Sequence, residues 1–300
     1  MTDAVRSMLF VPGDSRRKFD KAAQGSADAL ILDLEDSVAP AQKAAARAIT
    51  ASMLADATRG RQLLFVRVNA LDTGLTLADL AGVMAARPDG IVLPKCRGAD
   101  DVRQLAHYLD AFEASHALPA GATRILAIAT ETADAMFGLA SYRGASPRLW
   151  GLMWGAEDLA ATLGSFGNRA ADGVYADPFR LARGLCLAGA RAAGVLPVDT
   201  VYVDIRNLDG LRSETLAARR DGFGAKAVIH PAHVDVVNAA FMPSHEEVAW
   251  AERICAAFAG SAGTGVVSID GQMIDKPHLR KAQGILAHAA SAPRHTTPAR

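Results

Sequence analysis

Hydrophobic positions along the chain fall into short continuous runs that alternate with longer amphipathic stretches. The runs are rich in Val, Ile and Leu, and they include SMLFVPG, DALILDLED, QLLFVRVN, DGIVLPK, RILAIATET, LWGLMWGAED, DTVYVDI and AKAVIHP. Runs without polar alternation are typical of parallel strands that are buried on both faces. The stretches between them, such as ADDVRQLAHYLDAFEASHA, have the periodicity of helices. The pattern therefore predicts eight βα units in succession.

Eight strands that are each followed by a helix favour an α/β fold of the (β/α)8 TIM-barrel type. An open, doubly wound sheet is the alternative, but no glycine-rich G-x-G-x-x-G turn opens any of its candidate units. We expect a catalytic barrel domain over residues 1–242 and a C-terminal appendage of helices and a hairpin over 243–290. The appendage is too small to bury much surface alone, so we expect it to pack on the barrel or on a neighbouring subunit.

Three segments make up the expected appendage. SHEEVAWAERICAAFAG predicts a helix, and GTGVVSIDGQMID predicts a hairpin with a turn at Asp270 and Gly271. KPHLRKAQGILAHAA predicts a last helix with Pro277 in its first turn. Residues 291–300, SAPRHTTPAR, are expected to form a disordered tail.

Composition narrows the possible partners and compartments. The 300 residues include 32 basic and 32 acidic side chains, and this balance argues against nucleic acid or an anionic membrane as a partner. No apolar run reaches the ~18 residues of a membrane span, and the first residues lack the features of a secretory signal. The three cysteines are scattered, which predicts free thiols rather than disulfides or a zinc site. A cytoplasmic location is expected.

Polar residues follow each predicted strand, where the chemistry of a barrel is located. In chain order they are Pro12-Gly13-Asp14, then Asp33, Glu35 and Asp36, then Arg67 and Asn69, then Lys95, Glu131, Glu157 with Asp158, Asp204, and His230. Carboxylates gathered on one rim need positive charge, and a set of oxygen ligands suits Mg²⁺ better than zinc. Glu131 and Asp158 are the best pair of ligands because they end neighbouring strands. Glu157 would point away from Asp158, and we expect it to cap the following helix or to pair with a basic group.

Eight segments resemble, in order, the hallmark segments of a known family. They are RSMLFVPGD, ALILDLEDSV, FVRVNA, IVLPK, ETA, GLMWGAEDLAA, IHP and GQMIDKPHLRKA, and the family is the citrate lyase β-subunit-like and malyl-CoA lyase family of the HpcH/HpaI aldolase superfamily. The resemblance implies a Mg²⁺-dependent TIM barrel that cleaves or forms a carbon–carbon bond in a 3-hydroxyacyl-CoA thioester. It also implies acetyl-CoA and a small 2-keto acid as products, and a homotrimer or a hexamer of trimers.

The resemblance also implies roles for particular residues. It implies Glu131 of ETA and Asp158 of GAED as the metal ligands, and Arg67 of VRVN as a contact to the substrate. In family members that act on free CoA esters, an Asp in the C-terminal MID segment reaches the site of a neighbouring subunit. That position is Asp275 here, and it would exchange a proton with the enolate carbon.

Two further groups of residues are expected to act at the site, the first because of the same resemblance and the second because of its charge and position. Glu35 and Asp36 of LDLEDSV would be the outer acidic groups that hold metal-bound water and supply a base. The CoA diphosphate needs cationic donors, and Arg16, Arg17 and Lys21 lie at the first strand-to-helix junction. A solvated helix face is the alternative interpretation of this basic stretch.

Several alternatives remain open at the level of the sequence. The activity could be that of a CoA-ester lyase, of a malyl-CoA thioester hydrolase or malate synthase-like enzyme, or of a metal-dependent aldolase on free 2-keto acids. Trp154 either narrows the substrate pocket or packs in the barrel wall. Lys95 could form a Schiff base, although charge balance fits better beside metal carboxylates. His230 is equally compatible with a structural role and a catalytic one.

Overall fold

The computed structural model of the chain describes residues 5–60, 62–260, 265–269 and 271–290. Within these residues, eight parallel strands follow one another around a closed barrel, in which the first strand also pairs with the eighth. They are β1 (Ser7–Pro12), β2 (Ala29–Asp33), β3 (Leu63–Arg67), β4 (Gly90–Leu93), β5 (Arg124–Ile128), β6 (Leu149–Met153), β7 (Leu196–Asp199) and β8 (Ala225–Val228). The predicted (β/α)8 TIM-barrel fold is confirmed.

Both faces of the barrel strands are buried. Ala29 and Ile31, at alternate positions of β2, belong to one core cluster together with Phe65, Leu126 and Val198 from other strands. Leu30, between them, is equally inaccessible to solvent but does not belong to that cluster. Strands that are covered on both faces need apolar residues at every position, which explains the continuous runs in the sequence.

Helices separate the successive strands. They are α1 (Arg16–Ala23), α2 (Lys43–Asp56), α3 (Thr76–Val83), α4 (Ala99–Ser115), α5 (Ala133–Gly138), α6 (Glu157–Thr162), α7 (Asp177–Ala193), α8 (Leu208–Asp221) and α9 (Pro231–Phe241), with α6 and α7 both between β6 and β7. α7 shows the local signals clearly, since Pro178 lies in its first turn and Gly194 ends it in the left-handed region, at a φ of 72°.

The predicted position of the seventh strand was wrong. DTVYVDI was expected to be this strand with Asp204 at its end, whereas β7 ends at Asp199 and residues 200–204 have no regular structure. The ladder pairs Val198 of β7 with Met153 of β6 and Ala225 of β8. Barrel closure therefore determines which residues pair, and it overrides the local β propensity of the segment that follows. Asp204 lies on an exposed loop.

The C-terminal part contains the predicted helices and hairpin. α10 (His245–Gly260) and α11 (Lys276–Ala290) flank the antiparallel strands β9 (Val266–Ile269) and β10 (Gln272–Asp275) along the chain. Ala251, Ile254, Ile274 and Ala282 form the buried core of this part. Asp270 of the predicted turn lies outside the described residues, whereas Gly271 adopts a φ of 77° as a tight turn requires.

The chain divides into two compact units, one of Val5–Asn238 and one that begins at Ala239. The predicted boundaries of 1–242 and 243–290, and the predicted packing of the appendage, stay predictions. The predicted tail, 291–300, lies outside the described residues. In the part of the chain that the structure describes, no helix is long and apolar enough to cross a membrane. The cysteines are free thiols, as predicted.

Candidate active site

The carboxyl ends of β2 to β6 bring together the charged groups that were predicted from the strand ends. Arg67 is the last residue of β3, and Glu35, Lys95, Glu131 and Asp158 follow the other strands closely. Glu35 and Glu131 are almost fully buried, at 5% and 3% exposure. Charges withdrawn from water are costly unless they are paired or bound to a cation, so their partners define the site.

Arg67 is held by acidic groups from β2 and the loop after it. Its Nε and Nη2 donate to the two carboxylate oxygens of Asp33, at 2.7 and 2.8 Å, and its Nη1 lies 2.9 Å from Oε2 of Glu35. The guanidinium also lies over the ring of Phe10, 4.9 Å from its centre. Burial disfavours the charged form, but the hydrogen bonds to Asp33 and the nearby carboxylates raise the pKa of Arg67 above its usual value. The predicted substrate contact is therefore a permanently charged, fixed cation.

Lys95 contacts acidic residues that follow three different strands of the barrel. Its backbone N–H donates to Oε2 of Glu131 at 2.6 Å, and its ammonium group contacts Glu35 and lies 3.3 Å from Oδ1 of Asp158 and 3.8 Å from Asp36. The residue adopts a φ of 52°, a left-handed conformation that costs a non-glycine residue about 1–2 kcal/mol. Although burial favours the neutral amine, the carboxylates raise the pKa of Lys95 above its usual value. Charge balance is therefore the role that fits its surroundings.

Glu131 and Asp158 follow β5 and β6, which are neighbouring strands of the barrel, as predicted. The hydroxyl of Thr162 on α6 lies within hydrogen-bond distance of both backbone carbonyls, 3.1 Å from that of Glu131 and 3.0 Å from that of Asp158. Burial, together with the charges of Asp158 and Glu35, raises the pKa of Glu131 to about 8. A cation beside these carboxylates would relieve this accumulation of negative charge.

The donor set fits Mg²⁺. Among the described residues, no group of three or more His, Cys, Asp and Glu side chains could hold a metal ion, so a zinc-type cage is not formed there. Mg²⁺ commonly takes one or two protein carboxylates and completes its shell with water and substrate oxygens. Glu131 and Asp158 supply such a pair, and Gly155 leaves the necessary space, because a Cβ there would lie 2.7 Å from Cγ of Glu131.

Lys43 supports the acidic loop and was missed in the sequence. Its ammonium group donates to the carbonyls of Leu34 and Glu35, at 2.8 and 2.7 Å, and to Oδ1 of Asn69 at 2.8 Å. Asn69, noticed as a residue after the third strand, also donates to the Leu34 carbonyl at 3.0 Å. A lysine in the first turn of a helix is ordinarily solvated, so no local signal distinguishes Lys43.

The side chains of Trp154 and Glu157 form hydrogen bonds with residues other than the proposed ligands. Trp154 is fully buried and its indole N–H donates to Asp199 at 2.6 Å, which agrees with packing in the barrel wall. Glu157 begins α6, and its carboxylate accepts a hydrogen bond of 2.7 Å from the amide of Asn168. The expected side-chain cap or basic partner of Glu157 was therefore wrong.

The basic residues of α1 lie at the start of the barrel domain. Arg16, Arg17 and Lys21 are all exposed. Arg16 is engaged by its neighbours, since its Nε donates to Asp20 at 2.8 Å and its Nη1 donates to Asp56 at 2.6 Å. Arg17 and Lys21 are therefore better placed than Arg16 to bind an anion.

Two residues predicted from the sequence, Asp275 and His230, lie in later segments of the chain than the carboxylates described above. Asp275 ends β10 in the C-terminal unit, where its Oδ1 lies 2.6 Å from Nδ1 of His278. This hydrogen bond lowers the pKa of Asp275. His230 precedes α9, and its Nδ1 accepts a hydrogen bond from the backbone N–H of Ala232 at 3.2 Å, which is a structural contact.

Comparisons with known proteins agree with this architecture. The family model of HpcH/HpaI aldolase/citrate lyase matches residues 6–231, and a model described as C-C bond lyase of the TIM-barrel fold matches 186–291. A (3S)-malyl-CoA thioesterase from Cereibacter sphaeroides is 39% identical over 290 residues, which cover 95% of this chain and 94% of the relative.

Two solved structures are similar over most of the chain. The crystal structure of protein CitE from Mycobacterium tuberculosis, in complex with magnesium, acetoacetate and coenzyme A, has a TM-score of 0.78 and 38% identity, and the match covers 97% of this chain and 100% of that one. A citrate lyase beta subunit from M. tuberculosis, complexed with oxaloacetate and magnesium, has a TM-score of 0.66 and 38% identity, with 80% and 98% of the two chains covered.

Proposed function

The chain belongs to the HpcH/HpaI aldolase/citrate lyase family, and from this premise we propose that it is a Mg²⁺-dependent lyase of CoA esters. The proposed reaction cleaves or forms the carbon–carbon bond of a 3-hydroxyacyl-CoA such as malyl-CoA or citramalyl-CoA. The products of cleavage are acetyl-CoA and a small 2-keto acid. The observation that carries the proposal is the placement of Glu131 and Asp158 after the paired strands β5 and β6, with Lys95 in contact with both and Arg67 nearby.

The similar structures support the metal and the ligands. Magnesium accompanies coenzyme A and acetoacetate in one of them and oxaloacetate in the other. In this chain Glu131 and Asp158 would hold Mg²⁺. When bound, Mg²⁺ supplies Lewis-acid polarisation of the carboxylate and hydroxyl oxygens of the substrate.

The bond changes define what the side chains must do. The substrate hydroxyl loses its proton, and the bond from the hydroxyl-bearing carbon to the α-carbon of the thioester breaks. Its electron pair forms the enolate of acetyl-CoA, which is then protonated at carbon. We assign proton acceptance to the acidic pair Glu35 and Asp36, since burial raises the pKa of Glu35 and strengthens it as a base. Arg67, fixed by Asp33, stabilises negative charge that develops on the substrate oxygens.

Asp275 would protonate the enolate carbon, acting on the site of a neighbouring subunit in a homotrimer. Its hydrogen bond to His278 holds the carboxylate in one orientation and favours the ionised form, which suits proton removal in the condensation direction. Arg17 and Lys21 would bind the CoA diphosphate, and Arg16 would hold the helix that carries them. Arg17 lies in the first turn of α1, where the helix N-terminus also favours a phosphate, and Lys21 adds an exposed cation in the last turn.

Product analysis tests the proposal directly. The chain is incubated with malyl-CoA or citramalyl-CoA and Mg²⁺, and acetyl-CoA, 2-keto acid and free CoA are quantified. We expect acetyl-CoA and glyoxylate or pyruvate in equal amounts, with activity abolished by EDTA and restored by Mg²⁺. The absence of every product with Mg²⁺, together with unchanged Mg²⁺ binding by Glu131→Ala, would overturn it.

Thioester hydrolysis is the second candidate, and the 39% identical malyl-CoA thioesterase favours it. Hydrolysis adds water to the thioester carbonyl, and it releases free CoA and malate from malyl-CoA without a keto acid. The same assay separates the two activities. Free CoA without glyoxylate supports hydrolysis, whereas acetyl-CoA with glyoxylate supports the lyase.

A further inference from the structure

A buried carboxylate, that of Asp199, accepts a hydrogen bond from Trp154, which shortly precedes Asp158 in the chain. Trp154 follows β6 directly, and its indole N–H donates to Oδ1 of Asp199, at the end of β7, over 2.6 Å. Both side chains are buried, with Trp154 at 0% and Asp199 at 1% exposure. A hydrogen bond to a buried charge is stronger than one between neutral groups, so the contact fixes the indole firmly.

Asp199 is itself fixed by two cations. Oδ2 accepts from the fully buried ammonium group of Lys226 at 2.8 Å, and Oδ1 accepts from Nε of Arg183 at 3.1 Å. Lys226 also donates to Glu214 at 3.0 Å. Burial raises the pKa of Asp199, but the charges of Lys226 and Arg183 outweigh this effect and keep the carboxylate ionised. The indole acceptor therefore has one position and one charge state.

Trp154 also contacts the segment between α6 and α7. Its ring packs edge-on against Tyr175, with the ring centres 5.0 Å apart, and Arg169 stacks on Tyr175 at 3.8 Å. Arg169 also donates to Glu214 at 2.7 Å. The contacts form a closed circuit around Trp154, because Glu214 connects through Lys226 back to Asp199. We call Trp154 and Asp199 the rim anchor.

The residue after Trp154, Gly155, packs against one of the proposed metal ligands, Glu131. The N–H of Gly155 donates to the hydroxyl of Thr130 at 3.0 Å, and its Cα packs so closely that a Cβ would lie 2.7 Å from Cγ of Glu131. Three residues later in the chain comes Asp158, and the hydroxyl of Thr162 joins its carbonyl to that of Glu131. A displacement of Trp154 would therefore move the backbone that sets the separation of the two carboxylates.

We propose that the rim anchor, Trp154 with Asp199, positions Glu131 and Asp158 for Mg²⁺ without contacting the ion or the substrate. This inference rests on the proposed function, since it takes these carboxylates as the metal ligands. Groups that orient metal ligands from behind typically contribute 10–100-fold to metal affinity. The anchor acts through the backbone, and its removal is expected to weaken Mg²⁺ binding about tenfold.

Trp154→Phe tests the anchor, because it removes the N–H donor and keeps an aromatic ring, while Asp199 retains Lys226 and Arg183. Trp150→Phe is the matched control, since Trp150 lies on the same strand and packs on Phe65 instead. Mg²⁺ dissociation constants are measured by titration calorimetry on the full chain, and melting temperatures are measured in parallel. If Trp154→Phe does not fold, Asp199→Asn is tested instead, because it changes the group that accepts the indole hydrogen bond.

We expect Trp154→Phe to raise the Mg²⁺ dissociation constant about tenfold and Trp150→Phe to leave it within about twofold. The double variant with Asp199→Asn should bind Mg²⁺ little worse than Asp199→Asn alone, because that change already weakens the indole contact in addition to the ion pairs with Lys226 and Arg183. If Trp154→Phe binds Mg²⁺ with wild-type affinity and only its melting temperature falls, the rim anchor contributes to packing alone and the inference is overturned. Failure of the wild-type chain to bind Mg²⁺ would instead overturn the proposed function, and the anchor's role with it.

Discussion

The backbone N–H of Lys95 donates a 2.6 Å hydrogen bond to the carboxylate of Glu131, while the side chain of the same lysine lies 3.3 Å from Asp158. One residue in a left-handed conformation thus contacts both proposed metal ligands. Strained backbone of this kind persists where the surrounding structure requires it, often at functional sites. The contact gives the site its geometry and part of its positive charge.

The two adjacent acids of α6 should differ sharply in function. Asp158→Asn is expected to weaken Mg²⁺ binding about 100-fold or more, since it removes a proposed ligand. Glu157→Gln should bind Mg²⁺ like the wild-type chain, because its carboxylate accepts a hydrogen bond from Asn168 and is not a proposed ligand. Titration calorimetry on both variants checks the prediction, and equal losses would show that the assignment of the ligand is wrong.

Gly155→Ala should damage the metal site by steric displacement. The added Cβ would lie 2.7 Å from Cγ of Glu131, so the carboxylate must shift, and the Mg²⁺ dissociation constant should rise about tenfold or more. Gly167→Ala is the control, because a Cβ there meets nothing within 4 Å. Unchanged Mg²⁺ affinity in Gly155→Ala would mean that Glu131 is not a ligand in this position.

Lys95 should form no Schiff base. Its ammonium group contacts Glu35, and the surrounding carboxylates raise its pKa, so the neutral amine that attacks a carbonyl is scarce. Incubation with pyruvate or oxaloacetate and borohydride should leave the mass of the chain unchanged. A peptide carrying a reduced adduct at Lys95 would contradict the charge-balancing role.

Glu113 should stabilise the barrel in a pH-dependent manner. Burial favours its neutral form, but hydrogen bonds from Arg148 and from the N–H groups of Thr123 and Gly121 lower its pKa from 4.5 to about 2. A lowered pKa in the folded chain means that this stabilisation is complete above pH 4.5 and is lost as the pH falls towards 2. Glu113→Gln should therefore reduce the free energy of unfolding by about 2–3 kcal/mol at pH 7.

Denaturant unfolding at several pH values tests this expectation. The free energies of unfolding of the wild-type chain and Glu113→Gln should converge as the pH falls from 4.5 towards 2. Glu252→Gln, on the exposed surface of α10, should change stability by less than about 0.5 kcal/mol at every pH. A constant difference between wild-type and Glu113→Gln across this range would show that ionisation of Glu113 is not its source.

Most of the barrel was predictable from the chain because each βα unit carries its own local pattern. Seven of the eight expected segments contain most or all of the observed strand, the eighth shares only Asp199 with β7, and the two C-terminal helices and the hairpin also agree. The exception is β7, where Leu196–Asp199 is short and contains Pro197, while the stronger β-type segment follows it. Local propensity could not identify the paired residues, because pairing with β6 and β8 decides them.

The sequence by itself determined which residue types stand at the strand ends, since parallel strands in a barrel place their C-terminal ends on one rim. Glu131, Asp158, Arg67 and Lys95 could be named in this way. Only the tertiary structure decided how these charges are partnered, because salt bridges and hydrogen bonds join residues that are distant in the chain. Asp199 illustrates this, since its contact with Trp154 exists only once the barrel has closed and α7 has packed against it.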